Sequence, residues 1–312
     1  MTTLLALAVS LPCVYWTQGI ESRPMLEAAG IKRICVPPDR ADAWRAAGFT
    51  AISIADADVA SREPLPAPGV TARPAVASPT RSPWMITNGW RVMRRPAGKY
   101  SYSVSAGKGA IAAAEAFVYG ADAILTIDPA DAGAVGAMLS FLDGVPAVDL
   151  PPIADLAIVD DGTPLTRELM NQFVRRNLLF DVVRAPSARY RINVAVGTPE
   201  YPRDEAADPG TFALKIRRQL TDDQRTLRIY GSEVVVGRLT GDGHRIRLHL
   251  INYGGREIEG LRIRLRGAYR PGEALVAGVG RVALTDHLVA GGATELSLPR
   301  MGTYAVIDLV AQ

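Results

Sequence analysis

Histidine and cysteine are scarce in this chain of 312 residues, and their distribution limits the chemistry available to it. The only histidines are His244, His249 and His287, and the only cysteines are Cys13 and Cys35. The first 243 residues therefore cannot supply a Ser-His-Asp or Cys-His catalytic centre, or a His-rich zinc site. Catalysis in that region has to use carboxylate, tyrosine, lysine or arginine side chains, and we expect no metal ion and no cofactor.

Lysine is also rare, since it occurs only at positions 32, 99, 108 and 215 and the other basic residues are arginines. The net charge of +3 is small for this length, and no continuous basic stripe with interleaved aromatic residues occurs. We therefore expect no nucleic-acid partner. The 48% hydrophobic and 21% charged content is typical of a folded chain with a sizeable core. No stretch is long and apolar enough to span a bilayer, so we expect no integral membrane span.

The N-terminus leaves two interpretations open. Residues 4–11 form an apolar run of signal-peptide length, but no positive residue precedes it and no clean cleavage site follows. Residues 1–13 are then either a residual export signal, which favours a periplasmic or extracellular location, or a buried segment leading into the first strand. A cytoplasmic location is the alternative to export. The two cysteines form either one disulfide or two buried thiols.

Residues 1–150 alternate between strand-like and helix-like segments, which is typical of parallel α/β units. Two of the helices end in Ala-Ala-Gly, where glycine supplies the left-handed residue. We predict a helix from Pro83, capped by Ser82, that carries Trp84, Met85 and Trp90. The strands are predicted at 14–18, 33–36, 50–54, 71–77, 100–104 and 123–127. The pattern predicts a (β/α)-barrel-like domain and leaves open that the barrel is small or incomplete, because eight full units take about 250 residues.

Two further domains are predicted after a Pro-Pro linker near residue 150. Residues 153–234 contain strands at 156–159, 179–183, 192–196 and 227–230, with helices at 164–176 and 208–220, which indicates a flavodoxin-like α/β domain. Residues 235–312 contain only short alternating strands separated by Gly, Asn and Pro turns, which predicts an antiparallel β-sandwich. The predicted fold class is therefore α/β plus all-β.

Four segments carry a resemblance to a known group of proteins. Residues 247–254 (RLHLINYG) resemble a strand of the sandwich modules in modular bacterial glycoside hydrolases, and residues 298–309 resemble their closing strand. Residues 157–161 (AIVDD) and 177–183 (NLLFDVV) resemble the domain of these enzymes that is similar to class I glutamine amidotransferases. The resemblance implies a (β/α) barrel, an amidotransferase-like domain and a β-sandwich on one chain.

Departures from that group matter for the chemistry. A working glutamine amidotransferase needs a nucleophilic cysteine and a histidine base, and residues 153–243 contain neither. We therefore expect the amidotransferase-like domain to be structural or an assembly surface through which a homo-oligomer forms. The barrel-like region also lacks the Asn-Glu pair that carries the acid/base glutamate in large groups of retaining glycosidases, so catalytic residues are not transferable from the resemblance.

Candidate site residues follow from the position of acidic side chains after the predicted strands. We predict Glu21 and Asp128 as the catalytic pair, because glycoside hydrolysis needs two carboxylates beside the bond. Helix capping is the alternative role for Asp128, and a solvated loop position is the alternative for Glu21. The predicted substrate-binding residues are Trp16, Gln18, Asp56, Trp84, Asn88 and Trp90; core packing is the alternative for the aromatic residues. The basic run Arg91, Arg94, Arg95 and Lys99 is either a solvated face or a site for an acidic sugar.

The leading functional hypothesis is a glycoside-hydrolase-like protein that acts on an oligosaccharide or polysaccharide through paired carboxylates, with a carbohydrate as its ligand. The rival hypothesis is a non-catalytic carbohydrate-binding or assembly protein on a degenerate barrel. Turnover of glycosides distinguishes the two, since both require binding but only the first requires two working carboxyl groups.

Overall fold

A computed structural model describes residues 11–71 and 84–312 of the chain. These residues divide into two compact units. One comprises the residues up to Gly69 together with Arg95–Asp149, and the other comprises Val70–Arg94 together with Leu150–Gln312. Within the described ranges, no helix is both long and apolar enough to cross a membrane.

Strands and helices largely alternate along the described chain as far as residue 143, except that no helix separates β4 from β5. The elements are β1 (Cys13–Tyr15), α1 (Arg23–Ala28), β2 (Arg33–Val36), α2 (Ala41–Ala46), β3 (Thr50–Ser53), α3 (Asp56–Ser61), β4 (Glu63–Leu65), β5 (Gly69–Thr71), β6 (Trp84–Ile86), α4 (Gly89–Arg94), β7 (Lys99–Val104), α5 (Gly109–Tyr119), β8 (Asp122–Ile127) and α6 (Ala132–Asp143). Gly30 and Gly48 follow α1 and α2 with φ of 71° and 92°, which confirms the predicted left-handed helix ends.

Six of these strands form one parallel sheet in the order β3-β2-β1-β8-β7-β4. Taking only these six strands, those that follow one another in the sequence lie side by side in the sheet. The exception is β3 and β4, which form its two edges. The first strand, β1, pairs with the last, β8. The result is a parallel α/β sheet in which the first and the last strand lie side by side.

The two faces of this sheet have different surroundings. Directly paired residues share a face, so Val14, Ile34 and Leu125 lie on the same side, and all three are fully buried or nearly so. Helix α5 contacts β7 and β8 on this side, and α2 contacts β3. The opposite face carries Cys13 and Cys35, which form a disulfide with 5.8 Å between their Cα atoms. The bond resolves the alternatives left open for the two cysteines.

One part of the sequence-based assignment is wrong. The segment predicted as a single helix from Pro83 is instead a strand, β6, followed by the short helix α4. Trp84 and Ile86 are residue types that favour strands, and Asn88 then immediately precedes the helix. The predicted helix start at Ser82 and Pro83, and all of the predicted strand 71–77 except Thr71, lie outside the described residues. The fourth sheet strand is β4, within the Pro-rich stretch.

The second unit contains a smaller parallel sheet of three strands in the order β10-β9-β11. Its strand and helix boundaries are β9 (Leu156–Val159), α7 (Pro164–Arg175), β10 (Phe180–Val183), β11 (Asn193–Val194), α8 (Arg203–Ala206) and α9 (Pro209–Leu220). Helix α7 begins after Thr163, whose side chain accepts a hydrogen bond from the Thr166 amide. The two helices α7 and α9 pack against each other.

Two antiparallel sheets complete this unit, with the orders β12-β15-β19-β18 and β13-β14-β20-β16-β17. Their strands are β12 (Leu227–Tyr230), β13 (Val235–Gly241), β14 (Arg245–Asn252), β15 (Ile258–Arg266), β16 (Glu273–Val276), β17 (Gly280–Ala283), β18 (Thr285–Ala290), β19 (Ala293–Met301) and β20 (Tyr304–Val310). Side chains of both sheets, such as Ile263 and Leu248, meet in one core. The two sheets therefore pack face to face, as in a sandwich.

The placement of β12 corrects the sequence-based grouping. That strand was assigned to the preceding α/β unit, but it pairs antiparallel with β15, with Leu227 opposite Leu265. Leu227 is fully buried in the sandwich core, so this segment belongs to the antiparallel sheets and not to the three-stranded parallel sheet. The domain limits at residues 150, 153, 234 and 235 stay a prediction.

Candidate functional site

The carboxyl edge of the six-stranded sheet collects the loops in which most candidate residues lie. Because the strands are parallel, the residues that follow each of them emerge at the same edge. Residues 16–22 follow β1, Asp56 begins α3 two residues beyond Ile54, and Asp128 directly follows β8. Since β1 and β8 are adjacent, the loops that carry Glu21 and Asp128 leave neighbouring strands.

Tyr15, the last residue of β1, is a candidate that the sequence analysis missed. Its hydroxyl donates a hydrogen bond to Oδ1 of Asp56 over 3.5 Å. Burial raises the pKa of Tyr15, and the negative charge of Asp56 raises it further, while Arg40 acts in the opposite direction. The phenol therefore stays protonated at neutral pH and acts as a donor toward Asp56. The sequence feature that could have indicated Tyr15 is its position, since it is an aromatic residue with a polar hydroxyl at the end of the first strand.

The loop after β1 is held by hydrogen bonds within itself. The indole Nε1 of Trp16 donates to Oγ of Ser22 over 2.8 Å, and that hydroxyl donates to the Gly19 carbonyl over 2.6 Å. Oε1 of Glu21 accepts from the Gly19 amide over 3.0 Å. Trp16 is only 3% exposed, so it has little ring area to offer a sugar, whereas Gln18 and Glu21 are exposed.

Two aspartates after β8 accept hydrogen bonds from backbone amides, Asp128 from the turn that follows it and Asp131 from a segment that precedes it in the chain. Asp128 is half-buried, and its Oδ1 accepts from the Ala130 amide over 2.9 Å at the start of a 3-10 turn. Asp131 is buried and accepts from three successive amides, those of Gly107, Lys108 and Gly109. These amides lie at the N-terminal end of α5, where amides of this kind bind phosphate groups in other proteins. The loop containing Lys108 is therefore anchored by a carboxylate of the chain.

The remaining predicted binding residues belong to the other compact unit. Trp84 is half-buried in β6, with the guanidinium of Arg175 lying 4.2 Å from its ring centre. Trp90 is buried in α4, and the guanidinium of Arg91 lies 4.4 Å from its ring. Asn88 is fully buried. The structure thus brings Trp16, Gln18, Glu21, Asp56 and Asp128 to one edge of one unit, while Trp84, Asn88 and Trp90 lie in the second. Their catalytic and binding roles stay predictions.

The basic run of α4 and the residues after it is engaged in ion pairs. Nε of Arg94 lies 2.5 Å from Oδ2 of Asp160, and both side chains are largely buried. Arg95 pairs with Glu63 over 2.9 Å. Together with the stacking of Arg91, these contacts engage three of the four cations that the sequence analysis considered for an acidic sugar, and the fourth, Lys99, is exposed.

The carboxyl edge of the three-stranded sheet carries a second polar cluster, which is also internally paired. Asp161 accepts from the amide and the hydroxyl of Thr163, and Arg203 lies 3.4 Å away. Burial acts to raise the pKa of Asp161, but these hydrogen bonds outweigh it and leave the pKa lowered. In the described ranges, no group of three or more His, Cys, Asp or Glu residues could hold a metal ion.

Comparison with solved structures shows an enzyme of similar fold, with a TM-score above 0.5. Alpha-L-fucosidase isoenzyme 2 from Paenibacillus thiaminolyticus superposes with a TM-score of 0.54 at 9% identity, over 72% of this chain and 62% of that enzyme. The fold is glycoside-hydrolase-like. A GH42 beta-galactosidase from G. stearothermophilus has a TM-score of 0.40 at 10% identity, over 66% of this chain and 51% of its own.

The cold-adapted beta-galactosidase from Rahnella sp. R3 has a TM-score of 0.38 at 11% identity, over 65% of this chain and 51% of its own. The overlaps with the two galactosidases are too loose to support an inference. This chain therefore spans about 62% of the fucosidase and about half of each galactosidase. No protein-family model matches the chain, and no curated protein does.

Proposed function

We propose that the protein is a glycoside-hydrolase-like enzyme that acts on an oligosaccharide or polysaccharide through paired carboxylates. The observation that carries the proposal is the adjacency of β1 and β8, whose following loops bring Glu21 and Asp128 to one edge of one sheet. The glycoside-hydrolase-like fold supports it, because ligand chemistry in parallel barrels occurs at this edge.

In this proposal the two carboxyl groups divide the reaction between them. One protonates the glycosidic oxygen, and the other attacks the anomeric carbon or activates a water molecule. Asp56 follows β3 at the same edge, is exposed and accepts a hydrogen bond from the protonated Tyr15. A carboxylate in that position can accept a hydrogen bond from a sugar hydroxyl.

The proposed layout follows the same reasoning. We propose that residues 1–150, apart from Val70–Arg94, which belong to the other compact unit, contribute the (β/α)-barrel-like domain. Residues 153–234 are proposed as the amidotransferase-like domain and residues 235–312 as the sandwich, with β12 contributed to the sandwich from the preceding segment. We also propose a homo-oligomer through the amidotransferase-like domain, which light scattering of the purified protein tests. The disulfide between Cys13 and Cys35 supports a location outside the cytoplasm, because such bonds persist in oxidising compartments.

The proposal is tested by turnover of a panel of aryl glycosides and polysaccharides by the full chain, with binding measured in parallel. Asp128→Asn and Glu21→Gln should each lower the rate at least about a hundredfold, since each removes an acid or a charge used in the transition state. Unchanged folding of both variants, measured by circular dichroism, makes the rates comparable.

Matched controls come from the helices that follow the same strands. Glu27 lies in the last turn of α1 and is paired with Arg23, and the exposed Asp143 ends α6. Glu27→Gln and Asp143→Asn should leave turnover within about twofold, because the C-terminal end of each helix lies away from the carboxyl edge. Full turnover in both Asp128→Asn and Glu21→Gln contradicts the proposed pair. Saturable glycan binding without any turnover favours the non-catalytic alternative.

A further inference from the structure

The C-terminal end of α9 and the chain that follows it carry an unusual concentration of guanidinium groups. We call Arg217, Arg218, Arg225 and Arg228 the arginine cluster. Arg217 and Arg218 are exposed on the last turn of α9, whereas Arg225 is only 4% exposed and Arg228 is half-buried. Arginine suits the recognition of oxyanions, because its planar fork of donors matches carboxylate, sulfate and phosphate oxygens.

The negative charge within the arginine cluster is a single shared carboxylate. Oδ2 of Asp222 lies 3.1 Å from Arg228, while its Oδ1 lies 3.5 Å from Arg225 and 4.0 Å from Arg217. The two oxygens of Asp222 therefore face three guanidinium groups, and the distance to Arg217 is too long for a hydrogen bond. The neighbouring Asp223 is 91% exposed and lies 3.9 Å from Arg264 instead.

Buried donors in the arginine cluster lack acceptors. In the part of the chain that the structure describes, the buried Nε groups of Arg225 and Arg228 have no hydrogen-bond partner. The second donor nitrogen of Arg225, Nη2, reaches only the carbonyls of Arg176 and Asn177, over 3.3 and 3.5 Å. Burial lowers the pKa of Arg225, and the charge of Arg217 lowers it further. A bound anion would offset both effects.

A surface cavity of about 440 Å³ opens beside the arginine cluster. It is lined by Leu214, Arg217, Arg218, Thr221 and Asp222. This volume is in the range of small-molecule sites and exceeds what a bare ion requires. Leu214 is 38% exposed and supplies an apolar wall. Thr221 has a φ of 58°, a value that is unfavourable for a β-branched residue.

We propose that this cavity binds an acidic sugar, with the acid group on Arg217 and Arg218 and the ring against Leu214. It is a second ligand site, different from the carboxyl edge of the six-stranded sheet, and its choice of a carbohydrate rests on the proposed function. The charge of Arg217 and Arg218, the apolar wall and the cavity volume each match a monosaccharide or disaccharide that carries a carboxylate or a sulfate.

Calorimetric titration of the full chain tests the proposal with three probes: digalacturonate, the neutral galactobiose and sodium sulfate. We expect saturable binding of digalacturonate and none of galactobiose under the same conditions. The double variant Arg217→Gln/Arg218→Gln should weaken digalacturonate binding at least about tenfold, because it removes both charged donors from the cavity. Leu214→Ala should weaken it by a smaller factor through loss of the apolar wall.

Lys215→Gln is the matched control, since Lys215 is on the same helix but pairs with Glu205. The Lys215 charge is paired with Glu205 and the side chain does not line the cavity, so this variant should bind digalacturonate as the wild type does. Equal weakening by Lys215→Gln would mean that only net charge matters and would overturn the proposal. So would binding of sulfate without digalacturonate, or binding that is unaffected in the double variant.

Failure of this proposal is distinguishable from failure of the proposed function. Arginine-dependent binding of digalacturonate in a protein that turns over no glycoside supports the cavity and contradicts the enzyme. Turnover that depends on Glu21 and Asp128, without any binding of digalacturonate, supports the enzyme and contradicts the cavity.

Discussion

Asp131 offers a direct test of how the loop before α5 is held. Its carboxylate accepts hydrogen bonds of 2.6 Å from the Gly107 amide, 3.1 Å from the Lys108 amide and 2.9 Å from the Gly109 amide. The negative charge also faces the N-terminal end of α5, where it is favourable. The substitution Asp131→Ala removes all three acceptor contacts, whereas Asp131→Asn keeps an oxygen acceptor and removes the charge.

The magnitude follows from where each amide lies. The Gly109 amide is buried, so leaving it without an acceptor costs about 1–3 kcal/mol. Gly107 is exposed and Lys108 is half-buried, so water can replace their lost bonds at about 0.5–1 kcal/mol each. Asp131→Ala should therefore lower the free energy of unfolding by about 2–5 kcal/mol. Asp131→Asn should lower it by about 1–2 kcal/mol, since one neutral acceptor remains.

Chemical denaturation measures these differences, and amide hydrogen exchange at Gly107, Lys108 and Gly109 locates them. Asp128→Ala is the control, because Asp128 caps a single amide and should cost about 1 kcal/mol. If Asp131→Ala costs no more than Asp128→Ala, and the three amides keep their protection, the carboxylate is not what anchors this loop.

Two further predictions concern packing and pH. In α6, Gly136→Ala should destabilise the protein by about 3 kcal/mol in denaturation experiments, because a Cβ there would lie 1.8 Å from the Ala29 carbonyl oxygen. Gly133→Ala in the same helix meets no atom within 4 Å and should be neutral or slightly stabilising; equal effects would refute the contact. Burial, with the charges of nearby arginines, lowers the pKa of His249 from 6.5 to about 3. The folded state thus keeps His249 neutral, so stability is full above pH 6.5 and should fall by up to about 1.4 kcal/mol per unit toward pH 3. His249→Gln should flatten that slope in acid titrations of stability, and an unchanged slope would contradict the assignment.

Much of the secondary structure was predictable because its signals are local. Strand β9 matches its predicted limits, and the helices at Pro164–Arg175 and Pro209–Leu220 differ from prediction by one residue at one end. Proline at the first helical position and an oxygen-bearing cap before it mark both helices. The helix predicted from Pro83 was wrong, since tryptophan, methionine and isoleucine fit either structure and the adjacent proline favoured a helix start.

The candidate site was predictable in part. Placing Glu21, Asp56 and Asp128 after parallel strands was enough to expect them at one edge, because strand direction alone decides this. The contact between Tyr15 and Asp56 was not predictable, since it joins residues 41 positions apart, at the end of β1 and the start of α3, and β2 lies between β1 and β3 in the sheet. Trp84 and Trp90 were grouped with that edge on residue type, but they belong to the other unit.

The sequence by itself determined the kinds of element and the chemistry they can perform. The spacing of hydrophobic residues, the glycines that end helices and the prolines that begin them are short-range properties of the chain. The absence of histidine from the first 243 residues limits the side chains available for catalysis there. The tertiary structure alone decided which sheet β12 joins, which donor faces Asp56 and which arginines surround Asp222. The physical reason is that burial and pairing depend on residues distant in the sequence, and no local pattern specifies which of several compatible partners will be close.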